Sequence, residues 1–192
     1  MEQQFQYYAF ISYKREDEKW AKWLQDRLRW YKLPSKLCRQ ITRLPKKVWP
    51  VFRDNTDLDS GRLEENIRHE LERSHYLIVI CSPEAARSPW VGKEVKYFAT
   101  LHGADKIIPF VVSGIPYSND IETECIHEQI KAISQEELLA INVREEGIGS
   151  FAMKKKRAFI RVVARLLDIK FNTLWQPYER ILRIRKWSTG IG

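Results

Sequence analysis

YLIVICSPEAARSPWVGKEVKYFATLHGADKIIPFVV, residues 76–112, is the stretch that decides the fold. Its first six residues, 76–81, form a continuous apolar run of strand length, rich in β-branched side chains. Two Ser-Pro pairs follow, Ser82-Pro83 and Ser88-Pro89. A serine cap with proline at the first helical position is a strong start signal, so a helix is expected over 89–101. Residues 107–112 are apolar again, and Pro109 suggests a strand start or an edge position. A strand, a helix and a second strand in this order make a crossover that brings the chain back parallel to itself.

Upstream, the aromatic run YYAFISY at 7–13 reads as a buried strand bounded by the charged KREDEK stretch, with Asp17 a candidate helix cap. Trp20, Trp23, Leu24, Leu28 and Tyr31 then recur at helical spacing until Leu33-Pro34-Ser35. A short strand is expected at 48–52, a loop in the polar RDNTDLDSG at 53–61, and a helix at 62–73. Downstream, 113–128 reads as an acidic loop, 138–142 as a short fifth strand and 151–167 as a helix. In that helix Phe159, Val162, Val163, Leu166 and Leu167 should face the core, with 154–157, Arg161 and Arg165 on the solvated side. The expectation is an α/β fold: a flavodoxin-like parallel sheet of about five strands with helices on both faces, over 1–168. A basic C-terminal helical extension, 169–192, completes the chain.

The net charge of +8 is not spread evenly. Residues 151–192 carry eleven Lys/Arg against two Asp/Glu, leaving 22 against 23 for the rest. A charge-balanced sheet region argues against nucleic acid as a partner. The tail instead favours an acidic partner, or contact with an anionic membrane surface. No apolar run approaches the roughly eighteen residues of a membrane-spanning helix, and no leader pattern opens the chain, so a cytoplasmic location is expected. Three cysteines, without a CxxC pair, suggest neither a disulfide framework nor a zinc site, and Cys81 reads as a buried thiol. The four histidines show no metal-ligand spacing.

In a sheet of this kind ligands bind beyond the carboxyl ends of the strands, where the loops after Tyr13, Phe52 and Cys81 converge. No glycine-rich phosphate loop occupies them. Their motifs, Phe10-Ile-Ser-Tyr13, Arg53-Asp54 with Gly61, and Ser82, Ser88-Pro-Trp90 and Glu94, taken in order, resemble the TIR (Toll/interleukin-1 receptor-like) domain family over 7–167. Trp90 and Glu94 stand at the spacing of its bacterial NAD+-cleaving members. The pattern departs from the family at Ser60, where many members have proline, and in lacking a clear Phe-Trp box in the final helix.

The resemblance implies an NAD+ glycohydrolase or cyclase, yielding nicotinamide with ADP-ribose or a cyclic product, in antiviral defence signalling. NAD+ is then the substrate and no separate cofactor is implied. Glu94 would be the catalytic carboxylate; Phe10, Ser12, Tyr13, Lys14, Arg15, Gly61 and Trp90 would bind substrate. Residues four apart on a helix share a face, so Trp90 and Glu94 would enter one crevice. An indole can stack on a flat heterocycle, and a carboxylate can stabilise positive charge building on the ribose. Nicotinamide leaves a cationic pyridinium as a neutral molecule, so the second, proton-donating carboxylate of ordinary glycosidases is unnecessary. Lys14 and Arg15 would face the diphosphate, Gly61 would let its loop turn close to the ligand, and Tyr97 and Phe98 would pack. Self-association through the 53–61 loop, or a TIR or effector partner, goes with the family. Two other readings are a non-enzymatic TIR adaptor and a nucleoside deoxyribosyltransferase-like enzyme.

Overall fold

The computed structural model describes residues 5–53, 61–134, 138–145 and 149–188, with the backbone alone at 61–64, 178 and 181–188. Strands β1 (Tyr7–Ser12), β2 (Val51–Arg53), β3 (Ser74–Cys81), β4 (Ile107–Val111) and β5 (Ile141–Asn142) form one sheet in the order β2-β1-β3-β4-β5. Every pairing is parallel, as the crossover reading requires. The helices are α1 (Glu18–Trp30), α2 (Ser35–Gln40), α3 (Gly61–Glu72), α4 (Pro83–Ala86), α5 (Pro89–His102), α6 (Glu128–Ile133), α7 (Phe151–Leu166) and α8 (Phe171–Ser188). Among the described residues no helix is long and apolar enough to cross a membrane.

The strands' two-residue alternation divides the core. Ala9, Ile11, Ile78, Ile80 and Phe110 pack with Leu24 and Leu28 of α1 and Val162 and Val163 of α7. Phe10, Leu77 and Val79 face the other way, onto Leu71 of α3 and Val95 and Phe98 of α5. All five apolar positions expected inward on α7 are buried. Leu174 and Trp175 of α8 join the same core, so the first turns of the C-terminal helix pack as part of the domain.

Three expectations are corrected. Pro109 lies inside β4, between β3 and β5, rather than at a start or an edge. The Val112 N–H bonds to Cys81 of β3, whereas the Val111 carbonyl accepts from Val143 on the β5 side. By alternation the Pro109 nitrogen also faces the β5 side, where pairing begins only opposite Phe110, so no bond is lost. The second strand begins at Val51, three residues beyond the expected start.

The basic face of α7 is the third. Rather than being solvated, 154–157, Arg161 and Arg165 are all partly buried. The Lys155 ammonium lies 4.8 and 4.3 Å from the ring centres of Trp20 and Trp23. Arg157 covers Trp175 at 5.7 Å, and Arg161 pairs with Glu145 at 2.7 Å. Long basic side chains lie their stems along apolar surface and their charges over aromatic faces, which a helical pattern alone does not reveal.

Candidate active site

The carboxyl ends of β1, β2 and β3 bring the three motifs together. Ser12 ends β1 and, by the alternation that sends Ile11 toward α1, points to the α5 side. It is buried, and its hydroxyl donates to the Glu94 carboxylate. Glu94 sits in the second turn of α5, a helix started by Ser88, whose hydroxyl accepts from the Val91 N–H at 3.4 Å, and by Pro89. The carboxylate is therefore gripped from the sheet instead of hanging from a surface helix.

Trp90 and Glu94 line one cavity of about 290 Å³ between α3 and α5, with Arg68 and Leu71 on its α3 wall. The Lys93 ammonium lies 4.7 Å from the Trp90 indole centre. Tyr97, expected only to pack, lines this cavity too, and its hydroxyl donates to Glu72 at 2.5 Å. Phe98 is fully buried, as a packing residue should be.

The remaining sequence candidates separate. Phe10 has no exposed surface; it stacks on Phe52 at 5.2 Å beneath the site and cannot line it. Tyr13 packs toward the α1 side, where its hydroxyl accepts from Arg53 Nη1 at 3.0 Å. Lys14 is partly buried and Arg15 exposed, both at the 3-10 turn that leads into α1. Gly61 is the first residue of α3, and the 54–60 segment of its loop lies outside the described residues.

Two polar links went unread in the sequence. Arg53, at the end of β2, donates to Gln25 at 3.0 Å as well as to Tyr13, and lies 3.6 Å from Glu18, tying β2 to α1. Its signal was an arginine placed directly after a strand. Asp17 makes no side-chain cap at α1; it accepts from Ser82 at 2.5 Å, joining the loops after β1 and β3. Burial raises the Asp17 pKa, an effect the Ser82 hydrogen bond partly offsets. Both links need tertiary proximity, so spacing could not show them.

A larger cavity, about 640 Å³, opens on the other side of α5, above Glu124 and His127. Its buried groups are already matched. Glu124 accepts from the Tyr117 and Ile126 N–H groups at 3.1 and 2.7 Å and from Lys131 at 2.7 Å. His127 bonds the Ser88 carbonyl at 3.1 Å and accepts from the Gln129 N–H at 3.0 Å. Such a floor braces the fold. Burial pushes the Cys81 thiol well above its ordinary value and Cys125 to about 12, so neither supplies a thiolate.

Comparison with known proteins bears on the family and the fold. A segment of 110 residues, 56% of this chain, is 36% identical to the curated protein named NAD(+) hydrolase ApTIR from Actinoplanes sp.. That segment spans only 14% of the curated relative's length. Among solved structures, the TIR domains of the activated Roq1 resistosome directly recognizing the pathogen effector XopQ superpose with a TM-score of 0.53 at 14% identity. The superposition covers 80% of this chain and 98% of that one, and so bears on the fold. Residues 9–146 match the TIR domain family, and the chain belongs to it.

Proposed function

We propose that this chain is an NAD+ nucleosidase in which Glu94 stabilises the breaking nicotinamide–ribose bond. The observation that carries the reading is the Ser12 to Glu94 hydrogen bond, which fixes a carboxylate in the cavity that Trp90 lines. The activity named for the curated relative supports it.

The bond between the anomeric carbon and the pyridinium nitrogen breaks with both electrons going to nitrogen, and nicotinamide leaves neutral. Positive charge then spreads over the ribose anomeric carbon and ring oxygen, where Glu94 opposes it. Water adding to the anomeric carbon and losing a proton gives ADP-ribose. Attack by an atom of the same nucleotide gives a cyclic product instead. Trp90 offers the flat surface on which the leaving ring stacks. Cytoplasmic NAD+ as substrate, a part in antiviral defence signalling and an oligomeric active form belong to the same reading, through the family resemblance.

The test is to incubate the purified chain with NAD+ and resolve nicotinamide and nucleotide products for wild type, Glu94→Gln and Trp90→Ala. Glu94→Gln should retain the wild-type melting profile and lose about a hundred- to a thousandfold in rate. Equal release by wild type and Glu94→Gln refutes the assignment. No release by wild type, even when concentrated, makes the adaptor reading the better one.

A further inference from the structure

Helix α5 is held from two sides. Trp90 and Glu94 line the cavity shared with α3, and Ser12 grips Glu94 from the sheet. Ser88 and Gly92 each come two residues earlier, roughly 200° round the helix, and there they meet His127, the cap residue of α6. The ring of His127 is buried against this back face. Its Nδ1 accepts the Gln129 N–H at 3.0 Å, so the proton sits on Nε2, which donates to the Ser88 carbonyl at 3.1 Å. The same carbonyl accepts the Gly92 N–H at 3.1 Å, the bond that opens the helix. A Cβ at position 92 would stand 2.5 Å from His127 Cε1 and 2.8 Å from Nε2. Glycine is a poor residue for a helix interior, and here its missing Cβ is what admits the ring.

We propose that His127 is a positioning residue for the NAD+ site, fixing from behind the helical turn that carries Trp90; this rests on the reading that the Trp90–Glu94 cavity takes NAD+. Glu94 has its own tether to β1 through Ser12. Trp90 stands two residues beyond the Ser88 cap, so it moves with the turn that His127 fixes. Without the ring, the buried Ser88 carbonyl and the Gln129 N–H each lose a partner, and the start of α5 shifts or frays toward other donors. The surface offered to the nicotinamide ring is then misplaced, while the carboxylate that opposes the ribose charge stays on its tether. The loss therefore falls on substrate binding more than on the chemical step.

The experiment measures nicotinamide release by wild type, His127→Ala, His127→Gln, Gly92→Ala and the combination of Gly92→Ala with His127→Ala, each at a temperature where its melting curve shows it folded. His127→Ala should raise KM for NAD+ on the order of tenfold while kcat stays within about threefold. A merely structural role would lower the melting temperature and leave both constants of the folded molecules unchanged. His127→Gln, whose amide can donate to Ser88, should recover most of the loss. Gly92→Ala forces the intact ring off the carbonyl and should raise KM as His127→Ala does. In the combined variant the added methyl has room, so the loss should not exceed that of His127→Ala alone. Wild-type KM in folded His127→Ala, or losses that multiply in the combined variant, overturn the proposal. If His127→Ala does not fold, a wild-type KM in Gly92→Ala overturns it alone. A wild type that releases no nicotinamide refutes the cleavage reading, and calorimetric titration with NAD+ then reads the same contrast as affinities. Unchanged affinity in Gly92→Ala, or no NAD+ binding by wild type, overturns the positioning role as well.

Discussion

A glutamate one turn into a helix is ordinarily a solvated residue, and what distinguishes Glu94 is the buried hydroxyl of Ser12 reaching it from β1. The sequence showed both residues and their motifs, and the four-residue spacing placed Trp90 beside Glu94. It could not show that Phe10 lies beneath the site or that Tyr13 turns to Arg53, because strand alternation assigns neighbouring residues to opposite faces only once the helices are placed. His127 shows the same limit, since its spacing says only that it fits no metal-ligand pattern. Its Nδ1 accepts from Gln129 at the start of α6, so the buried ring is neutral and donates from Nε2 to the Ser88 carbonyl. Burial lowers its pKa below the model-compound 6.5; the Ser88 bond and Glu128 raise it, and Lys131 lowers it. Between the two values the unfolded chain binds more protons. The stability contributed by neutral His127 is therefore complete above pH 6.5 and lost as pH falls through 6.5 toward the folded value. Melting temperature should drop from pH 8 to pH 5, and His127→Gln should flatten the drop. Because burial also lowers His75 and His102, a residual slope is expected in that variant. An unchanged slope would remove His127 from the account.

At the scale of elements, legibility followed length and capping. Helices α5 and α7 announced themselves through Ser88-Pro89 and through apolar periodicity over 151–167. The six-residue helices α2 and α6 offer too few turns for a period to show. Pro109 misled because its meaning depends on which neighbour its nitrogen faces. The gap it leaves beside β4 is closed by Arg165 of α7, whose guanidinium donates to the Ile107 carbonyl at 3.2 Å and the Leu139 carbonyl at 2.9 Å. One side chain thus supplies hydrogen bonds where a longer β5 would have supplied backbone. Arg165→Ala should cost about 1 to 3 kcal/mol in denaturant unfolding, since charged donors to two carbonyls are lost. Arg165→Lys, which cannot span both carbonyls with one rigid fork, should recover only part. Wild-type stability in Arg165→Ala would mean that water replaces the guanidinium at no cost.

For the whole molecule, charge and cavity size are both at issue, and the second bears on how many copies the active form contains. The charge of the last forty-two residues, read as a basic tail, is partly spent within the domain, where Lys155 and Arg157 cover aromatic rings and Arg161 pairs with Glu145. The cavity beside Glu94, at about 290 Å³, lies at the small end of ordinary ligand pockets, roughly 300 to 1,000 Å³, and a second molecule set beside it would enlarge the enclosed space. The family resemblance points to the 53–61 loop as the part that reaches across, although 54–60 lies outside the described residues. If one copy's loop completes its neighbour's site, only assembled molecules turn over. Nicotinamide release per molecule should then rise with protein concentration and level off as oligomers fill, with light scattering recording the assembly over the same range. Glu94→Gln copies mixed into wild type should still lend their loops, so wild-type activity at low concentration should increase on adding them. Constant specific activity from a species shown to be monomeric throughout rules this arrangement out, because a single chain would then build the whole site.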